Sequence, residues 1–238
     1  THMEPLARNL HVIDVDGPEG IVRLVDGTHP AWSPDGSQIA FVKASVGGFG
    51  IHVMLADGSN VRQLTSPNDP AQCSEGASAS DWAPDWSPDG QKILFERHIH
   101  TSEGGGFDCG LDGWGLVPNI YIMNADGTHQ RRFRAVDLWR GDRGPAWSPD
   151  GRSVAFSTTE TGLHTIDKDA LYAAEPVVAT IPGIALAPVW SPDGRKLLVL
   201  SATPPANRLV IVDLDSGTTQ ALSFPSVPGL VLGPAWSR

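Results

Sequence analysis

The sequence predicts an all-β fold built from repeated four-stranded sheets, and three observations lead to that class. A pentapeptide, Trp-Ser-Pro-Asp-Gly, occurs four times, and a fifth copy begins near the end, with the tryptophans 43 to 61 residues apart: Trp32, Trp86, Trp147, Trp190 and Trp236. A short apolar strand segment follows each complete copy, for example "QIAFV" at 38–42. A second strand segment comes next, and in three of four copies it ends on Asp and Gly, which are hairpin-turn residues. This period is typical of one blade of a β-propeller.

Counting the repeat predicts one propeller domain over residues 9–238 with about five blades. Residues 1–8 are polar and are interpreted as a tag remnant or disordered start. Complete four-stranded blades are expected at 30–65, 84–133, 145–180 and 188–224. A composite fifth blade would combine third and fourth strands at 9–27 with a first strand at 234–238, which leaves few free sheet edges. No segment supplies its second strand, so the blade has three strands, or the chain is a fragment of a larger, six-bladed propeller, or another molecule fills the gap.

The pentapeptide itself is interpreted as structural. Proline fixes φ at the first turn position, Asp caps the turn, and Gly takes the position that needs a positive φ. Each repeat tryptophan is expected to pack between neighbouring blades.

The repeat resembles that of a known family. The pentapeptide is followed by a strand like "QIAFV", a strand like "YIMNADG" (121–127) and a strand like "RQLT" (62–65), and this order resembles the WD40-like repeat of TolB-type β-propellers. The resemblance covers nearly the whole chain and implies a protein partner in the cell envelope, such as a lipoprotein. Propellers of this type also occur in sensor proteins and beside peptidase domains, so the resemblance specifies the fold more closely than the function.

Composition and motifs restrict the function classes. The chain has 238 residues and a formal net charge of −10, and no basic stripe that could bind nucleic acid is visible. No run of 18 apolar residues exists, so no membrane insertion is expected. The sequence also lacks a Gly-x-Ser-x-Gly nucleophile motif, a phosphate-binding loop and a His-Glu-x-x-His helix. We therefore predict a protein that is not an enzyme and needs no cofactor.

Three long segments, 66–84, 97–118 and 134–144, are predicted to be loops on one face of the propeller beside the blade that starts at Trp86. Long loops on a rigid scaffold often carry binding residues, and tryptophan is favoured at recognition sites. Aromatic anchors, two arginines for acidic groups of the partner, and two acidic residues make up the predicted partner-binding set: Trp82, Phe107, Trp114, Trp139, Arg140, Arg143, Asp85 and Asp108. The alternative is that these aromatic residues form a small core of the loops themselves.

Asp85 is unusual because the position before the repeat tryptophan is small and apolar elsewhere: Ala31, Ala146, Val189 and Ala235. A buried carboxylate would have a raised pKa unless it is paired, which makes Asp85 a candidate site residue. Five acidic residues near the loop aromatics could instead provide a carboxylate pair of glycosidase type: Asp81, Asp85, Glu103, Asp108 and Asp112.

The two cysteines, Cys73 and Cys109, fall in neighbouring long loops, and a disulfide between them is expected. Such a bond would place the protein in a periplasm or outside the cell. His98 and His100 alternate along a strand end and share a face with Glu96, a spacing that suits zinc, but a third ligand is unassigned and no metal site is predicted.

The sequence thus predicts a periplasmic or extracellular propeller that binds a protein or peptide on its long-loop face, as a monomer or a strand-completed dimer. The alternatives are a propeller hydrolase or lyase acting on carbohydrate, for which Asp81, Asp85 and Asp108 would form the site, and a sensor domain of a larger membrane-anchored protein.

Overall fold

β-strands account for the regular secondary structure of the residues that the structure, a computed structural model, describes: 9–13, 21–66, 77–101, 118–133, 141–158, 162–169, 177–179, 184–202 and 208–222. The strands are β1 Asn9–Ile13, β2 Ile21–Asp26, β3 Thr28–Trp32, β4 Gln38–Ser45, β5 Gly48–Leu55, β6 Arg62–Gln63, β7 Ala77–Trp86, β8 Lys92–Thr101, β9 Asn119–Asn124, β10 Arg131–Arg132, β11 Asp142–Trp147, β12 Ser153–Thr158, β13 Gly162–Asp167, β14 Val177–Ala179, β15 Ile184–Trp190, β16 Lys196–Ala202, β17 Arg208–Asp213 and β18 Thr219–Leu222. The prediction of an all-β fold is confirmed. Within these ranges no helix is long and apolar enough to cross a membrane.

The strands form successive antiparallel sheets in chain order. Within the described part of the chain, β1 and β2 form a two-stranded sheet, which we call the first sheet. The second to fifth sheets have four strands each: β3–β6, β7–β10, β11–β14 and β15–β18. Each four-stranded sheet begins two to seven residues before its predicted blade, because the residues ahead of the repeat tryptophan are already extended. The limits of the domain, the number of blades and the composite blade with residues 234–238 stay predictions.

The Ser-Pro-Asp-Gly segments form one turn that recurs between the first and second strands of the four-stranded sheets. In the third sheet, Ser87 Oγ accepts a hydrogen bond from Lys92 N at 2.9 Å and donates one to Asp89 Oδ1 at 2.6 Å. The Gly90 φ is +70°, a conformation that favours glycine. The same bonds recur at Ser33, Ser148 and Ser191. The structural interpretation of this turn is confirmed.

The core lies between consecutive sheets, with one apolar cluster at each boundary. Trp86 packs against strands β4 and β5 of the preceding sheet, where Ala40, Val42, Ile51 and Val53 are buried. Trp147 packs in the same way against the third sheet, and Trp190 packs against the cluster between the fourth and fifth sheets. The expectation that every repeat tryptophan packs between blades is wrong for Trp32, whose relative exposure is 49% while those of Trp86 and Trp147 are 6% and 8%.

The first strands of consecutive four-stranded sheets lie next to one another. β3, β7, β11 and β15 are each the edge strand of their sheet, and β3 contacts β7, β7 contacts β11, and β11 contacts β15. All four contain a bulge that precedes the tryptophan and includes a proline: Pro30, Pro84, Pro145 and Pro188. Proline cannot donate to the sheet ladder, so it is tolerated at a bulge or on an edge strand. The bulge residues His29, Ala83 and Gly144 have φ values of 51°, 48° and 55°.

The short turns share one face of the molecule, which we call the turn face. The turn between third and fourth strands is bonded to the turn between first and second strands of the same sheet, as in the bond from Ala125 N to Gln91 O at 3.0 Å. Equivalent bonds join Ala56 to Ser37, Lys168 to Arg152 and Leu214 to Arg195. The opposite strand ends define the loop face, where the connections between second and third strands and between sheets lie.

Candidate binding surface on the loop face

The β7–β8 hairpin extends further toward the loop face than the other first hairpins. Its ladder begins with Ala77 opposite Thr101, whereas the β3–β4 ladder begins with Thr28 opposite Val42. The prediction that 66–84 and 97–118 are loops is therefore wrong at one end of each segment, because 77–84 and 97–101 belong to strands. Arg143 likewise lies in β11 and not in a loop.

Trp82 is the centre of a partly exposed aromatic cluster on this face. Its ring lies 4.6 Å from the Phe49 ring and 5.5 Å from the His29 ring, measured between centroids. Phe49 is 40% exposed and Val46, in the tight turn before it, is 88% exposed. The inner edge of Trp82 packs against the apolar cluster between the second and third sheets. We call His29, Val46, Phe49 and Trp82 the aromatic patch.

Arg97 and Asp81 form a buried ion pair below the aromatic patch. Arg97 Nε and a terminal guanidinium nitrogen each donate to one Asp81 oxygen at 2.7 Å, and both side chains are almost fully buried. The guanidinium carbon also lies 4.8 Å from the Tyr121 ring centroid, and Gln130 accepts a further hydrogen bond from Arg97. Because every one of these contacts is internal, Asp81 supports the structure and does not face a substrate.

Asp85 connects the third sheet to the fourth. Its Oδ2 accepts a hydrogen bond from the backbone N–H of Trp147 at 2.7 Å. The residue retains some surface, but its carboxyl group lies among protein atoms, and this burial raises the pKa of Asp85 to about 7 from an ordinary value of 3.8. Hydrogen bonds from the N–H groups of Trp147 and Trp86 offset only part of that rise.

Glu96 makes a second connection across the same boundary. Its Oε2 accepts a hydrogen bond from Gly144 N at 3.0 Å, and His98 Nε2 is hydrogen-bonded to its Oε1. Asp85 and Glu96, which both lie in the third sheet, thus accept hydrogen bonds from two N–H groups of the bulged strand β11 in the fourth sheet. Among the described residues no group of three or more metal-ligating side chains occurs, and the side chain of His100 lies outside them.

Arg143 is a partly buried residue of strand β11. It lies opposite Ser157 in the β11–β12 ladder, directly before the bulge. Trp82 holds the equivalent place in β7, opposite Glu96. No described residue forms an ion pair with Arg143, and its buried Nε has no hydrogen-bond partner.

Several predicted site residues lie outside the described residues: Phe107, Asp108, Trp114, Trp139 and Arg140, together with Glu103 and Asp112. The same holds for Cys73 and Cys109, so their disulfide stays a prediction.

Sequence reasoning missed His29, Val46 and Phe49. Their signal was present in two places: the Gly-Gly pair at 47–48 marks a tight turn between two apolar strands, and the recurring proline two residues before each tryptophan marks the bulge that exposes position 29. Neither signal predicts that the turn at 47–48 and the bulge at position 29 lie beside Trp82, because Trp82 belongs to a different sheet.

Four-stranded antiparallel sheets whose first strands contact one another in chain order, with short turns on one face, form a β-propeller fold. Comparison with known proteins agrees. The chain is 31% identical over 120 residues to the Tol-Pal system protein TolB of Gluconobacter oxydans, covering 50% of this chain and 22% of that protein. It is 27% identical over 163 residues to the uncharacterized peptidase YuxL of Bacillus subtilis, covering 59% and 23%. The chain therefore spans about a quarter of the length of these relatives, and no family model matches it.

Solved structures share the fold. TolB from Acinetobacter baumannii superposes with a TM-score of 0.66 at 19% identity, over 92% of this chain and 49% of that one. A putative TolB from Agrobacterium tumefaciens gives 0.67 at 19% identity, over 90% and 73%. A gluconolactonase from Xanthomonas campestris gives 0.60 at 18% identity, over 90% and 68%. Similar propellers thus occur in TolB proteins and in enzymes, and the fold alone does not assign an activity.

Proposed function

We propose that this propeller is a non-enzymatic module that binds a protein or peptide through its loop face, in the periplasm or outside the cell. The observation that carries the proposal is the aromatic patch, in which Phe49 lies against the ring of Trp82 and both Phe49 and Val46 expose apolar surface. Aromatic residues held rigidly at a surface are typical anchors of protein interfaces. The resemblance to TolB supports a partner in the cell envelope, such as a lipoprotein.

Arg143 supplies the polar part of this surface. Arg143 holds the position in β11 that Trp82 holds in β7, and its guanidinium forms no ion pair with a described residue. A partner segment that carries an apolar side chain and a carboxylate would therefore contact both positions. The same proposed surface includes five residues that are assigned to it by sequence position alone: Phe107, Asp108, Trp114, Trp139 and Arg140.

A carbohydrate-processing enzyme is less well supported. Asp81 is neutralised by Arg97, and Asp85 is bonded to a backbone N–H inside the molecule. Neither carboxyl group is free to act on a sugar, although glycoside hydrolysis requires two that flank the scissile bond. A sensor domain would bind its ligand on the same loop face. That alternative therefore shares the proposed site and differs only in the larger protein to which the domain would belong.

Affinity capture from an envelope fraction tests the proposal, with Phe49→Ser and Trp82→Ala as variants and Val61→Ser as the matched control. Val61 is similarly exposed but precedes the outer strand β6. A genuine partner should be retained by wild type and control and lose about tenfold or more in affinity for both patch variants, since anchors contribute about 2 kcal/mol or more. Equal retention by all four proteins would exclude the patch as the binding surface.

A further inference from the structure

The turn face contains a cleft between the second and third sheets, which we call the turn cleft. Consecutive Ser-Pro-Asp-Gly turns stand side by side there, and a Cβ atom added at Gly90 would lie 3.9 Å from Pro34 Cδ. The cleft has a volume of about 420 Å³, and its walls include Asp35 from the second sheet and Trp86 and Asp89 from the third. This volume is within the range of ligand pockets.

Asp35 and Asp89 give the turn cleft two ionised carboxylates. Hydrogen bonds from Ser33 and Ser37 lower the pKa of Asp35 to about 2, and the equivalent bonds of the next turn lower the pKa of Asp89. Both carboxylates are therefore negatively charged at neutral pH. Lys92 lies within electrostatic range of Asp89. Among the described residues no charged side chain contributes to the pKa of Asp35, so that carboxylate lacks a counterion.

Two other turns of the same type have arginine counterions. The residue after the turn glycine is Arg152 in the fourth sheet and Arg195 in the fifth, and each arginine lies within electrostatic range of the aspartate in its own turn. The same position holds Ser37 and Gln91 in the turns beside the turn cleft. The equivalent cleft between the fourth and fifth sheets, of about 430 Å³, thus has arginines that the turn cleft lacks.

The molecule itself places a lysine near Asp89. Carboxylates raise the pKa of Lys168 in the fourth sheet, Asp169 most strongly, and Asp89 of the third sheet is one of them. Ala125 holds the place of Lys168 in the third sheet, because the backbone N–H of each bonds to the turn between the first and second strands of its own sheet. Asp35 therefore faces an alanine where Asp89 faces a lysine. The repeat indicates that an alkylammonium group is the cation that fits the turn cleft.

Trp86 provides a second feature of the turn cleft. It is 6% exposed, and its indole Nε1 has no hydrogen-bond partner among the described residues. Trp190, which lines the equivalent cleft between the fourth and fifth sheets, donates from Nε1 to Ala146 O at 3.0 Å. A buried donor calls for an acceptor. A peptide segment supplies both groups, since it carries main-chain carbonyls beside a lysine side chain.

We propose that the turn cleft is a second binding site, which accepts a lysine side chain from a segment of another polypeptide. The ammonium group lies between Asp35 and Asp89, and the aliphatic stem packs along Pro34 and Trp86. The net charge of −10 favours the approach of such a basic segment. This site is independent of the loop-face surface, because it lies at the opposite strand ends.

The tripeptide acetyl-Gly-Lys-Gly-amide is the probe, and acetyl-Gly-Gln-Gly-amide is its neutral control. NMR titration of the folded chain should show saturable shifts of the amide signals of residues 35–37 and 89–91 with the lysine peptide and none with the glutamine peptide. Asp35→Asn keeps the turn acceptor but removes the charge, so it should weaken binding about fivefold. Asp193→Asn makes the same change in the turn of the fifth sheet and should leave binding unchanged.

Ala125→Lys tests the position of the cation. The new side chain would take the place in the third sheet that Lys168 has in the fourth, so it should compete with the lysine peptide and weaken its binding about fivefold or more. Circular dichroism verifies that the variant is folded. Unchanged peptide binding by this variant, with its fold intact, would contradict the proposed position of the ammonium group.

Four further results would overturn the proposal. The first is the absence of saturable shifts with the lysine peptide, and the second is equal shifts with the glutamine peptide. The third is equal weakening by Asp35→Asn and Asp193→Asn, which indicates diffuse attraction to an acidic surface. The fourth is binding of n-butylamine as tight as that of the lysine peptide, which assigns the cleft to a free alkylammonium ion and not to a polypeptide.

Discussion

At the scale of single residues, the boundary between the third and fourth sheets differs from the others. Asp85 takes the position that is Ala31, Ala146 and Val189 in the other repeats. Glu96 takes the position that is Val42, Ser157 and Leu200 in the other repeats. Both carboxylates accept backbone N–H groups of β11. The boundary beside the predicted long loops is therefore joined by hydrogen bonds between carboxyl groups and the backbone.

Asp85→Asn should make the free energy of unfolding less dependent on pH. With a pKa of about 7 in the folded protein against about 4 in an unfolded chain, Asp85 contributes stability that is complete below about pH 4 and is lost as pH rises through 7. Asparagine keeps an acceptor for Trp147 N without the buried charge. Urea unfolding at pH 5.5 and 8.5 should show the variant gaining on wild type at the higher pH, by about 2 kcal/mol.

Asp85→Ala is the control for that comparison. It removes the acceptor altogether and leaves Trp147 N unpaired, so it should be less stable than Asp85→Asn by about 1–3 kcal/mol at both pH values. Identical pH dependence of wild type and Asp85→Asn would contradict the assignment of the titration to Asp85.

Removing one charge of the buried Asp81–Arg97 pair should lower the free energy of unfolding more than removing both charges. Asp81→Asn leaves the Arg97 charge uncompensated beneath the aromatic patch and should destabilise the fold by about 3–5 kcal/mol. Asp81→Leu combined with Arg97→Met removes both charges and should recover most of that loss. Chemical unfolding of the single and double variants gives the coupling energy, and a double variant as unstable as Asp81→Asn would mean that the charges themselves are required.

At the scale of elements, the repeated turn and the bulged first strand have different origins in the sequence. In the turn, Ser87 Oγ closes a ring of hydrogen bonds within six residues, so a local motif is sufficient to specify it. The bulge with Ala83 in a left-handed conformation depends on Pro84 and on contacts to a neighbouring sheet. The first type of element is predictable from sequence and the second only in part.

Ser87→Ala tests the turn. The substitution leaves Lys92 N without its side-chain acceptor and frees Asp89, so we expect a loss of about 1–2 kcal/mol in the free energy of unfolding. Ser37→Ala removes an exposed hydroxyl that bonds only Asp35 and should cost less than about 0.5 kcal/mol. Equal effects of the two variants in thermal unfolding would show that the Ser87 bonds are not specific to the turn.

The sequence allowed the all-β class, the order of strands and the face of the short turns to be predicted, because Trp-Ser-Pro-Asp-Gly acts locally and repeats. The same reasoning placed Trp82 in a loop, since residues 77–84 are mostly small and contain no apolar strand segment. It also could not foresee that Phe49 meets Trp82 or that Arg97 neutralises Asp81. These pairings join residues that are 33 and 16 positions apart, and only the packed sheets bring them together.

At the scale of the whole molecule, stability is distributed over boundaries between sheets. Each described boundary has its own apolar cluster, and sheets contact mainly their sequence neighbours, as in other repeat architectures. The first sheet has two described strands and an exposed Trp32 at its boundary. We therefore expect local opening to begin at the first sheet and not in the centre of the array.

Native-state amide exchange of wild type and Val53→Ala tests this distributed stability. Val53 is buried in the cluster between the second and third sheets, and its truncation should cost about 2–3 kcal/mol. Protection should fall most in β4, β5, β8 and β9, and least in β16 and β17, because the fifth sheet contacts the damaged boundary only through the fourth. A uniform fall in protection across all sheets would mean instead that the propeller unfolds as one cooperative unit, as a closed ring requires when no boundary can open alone.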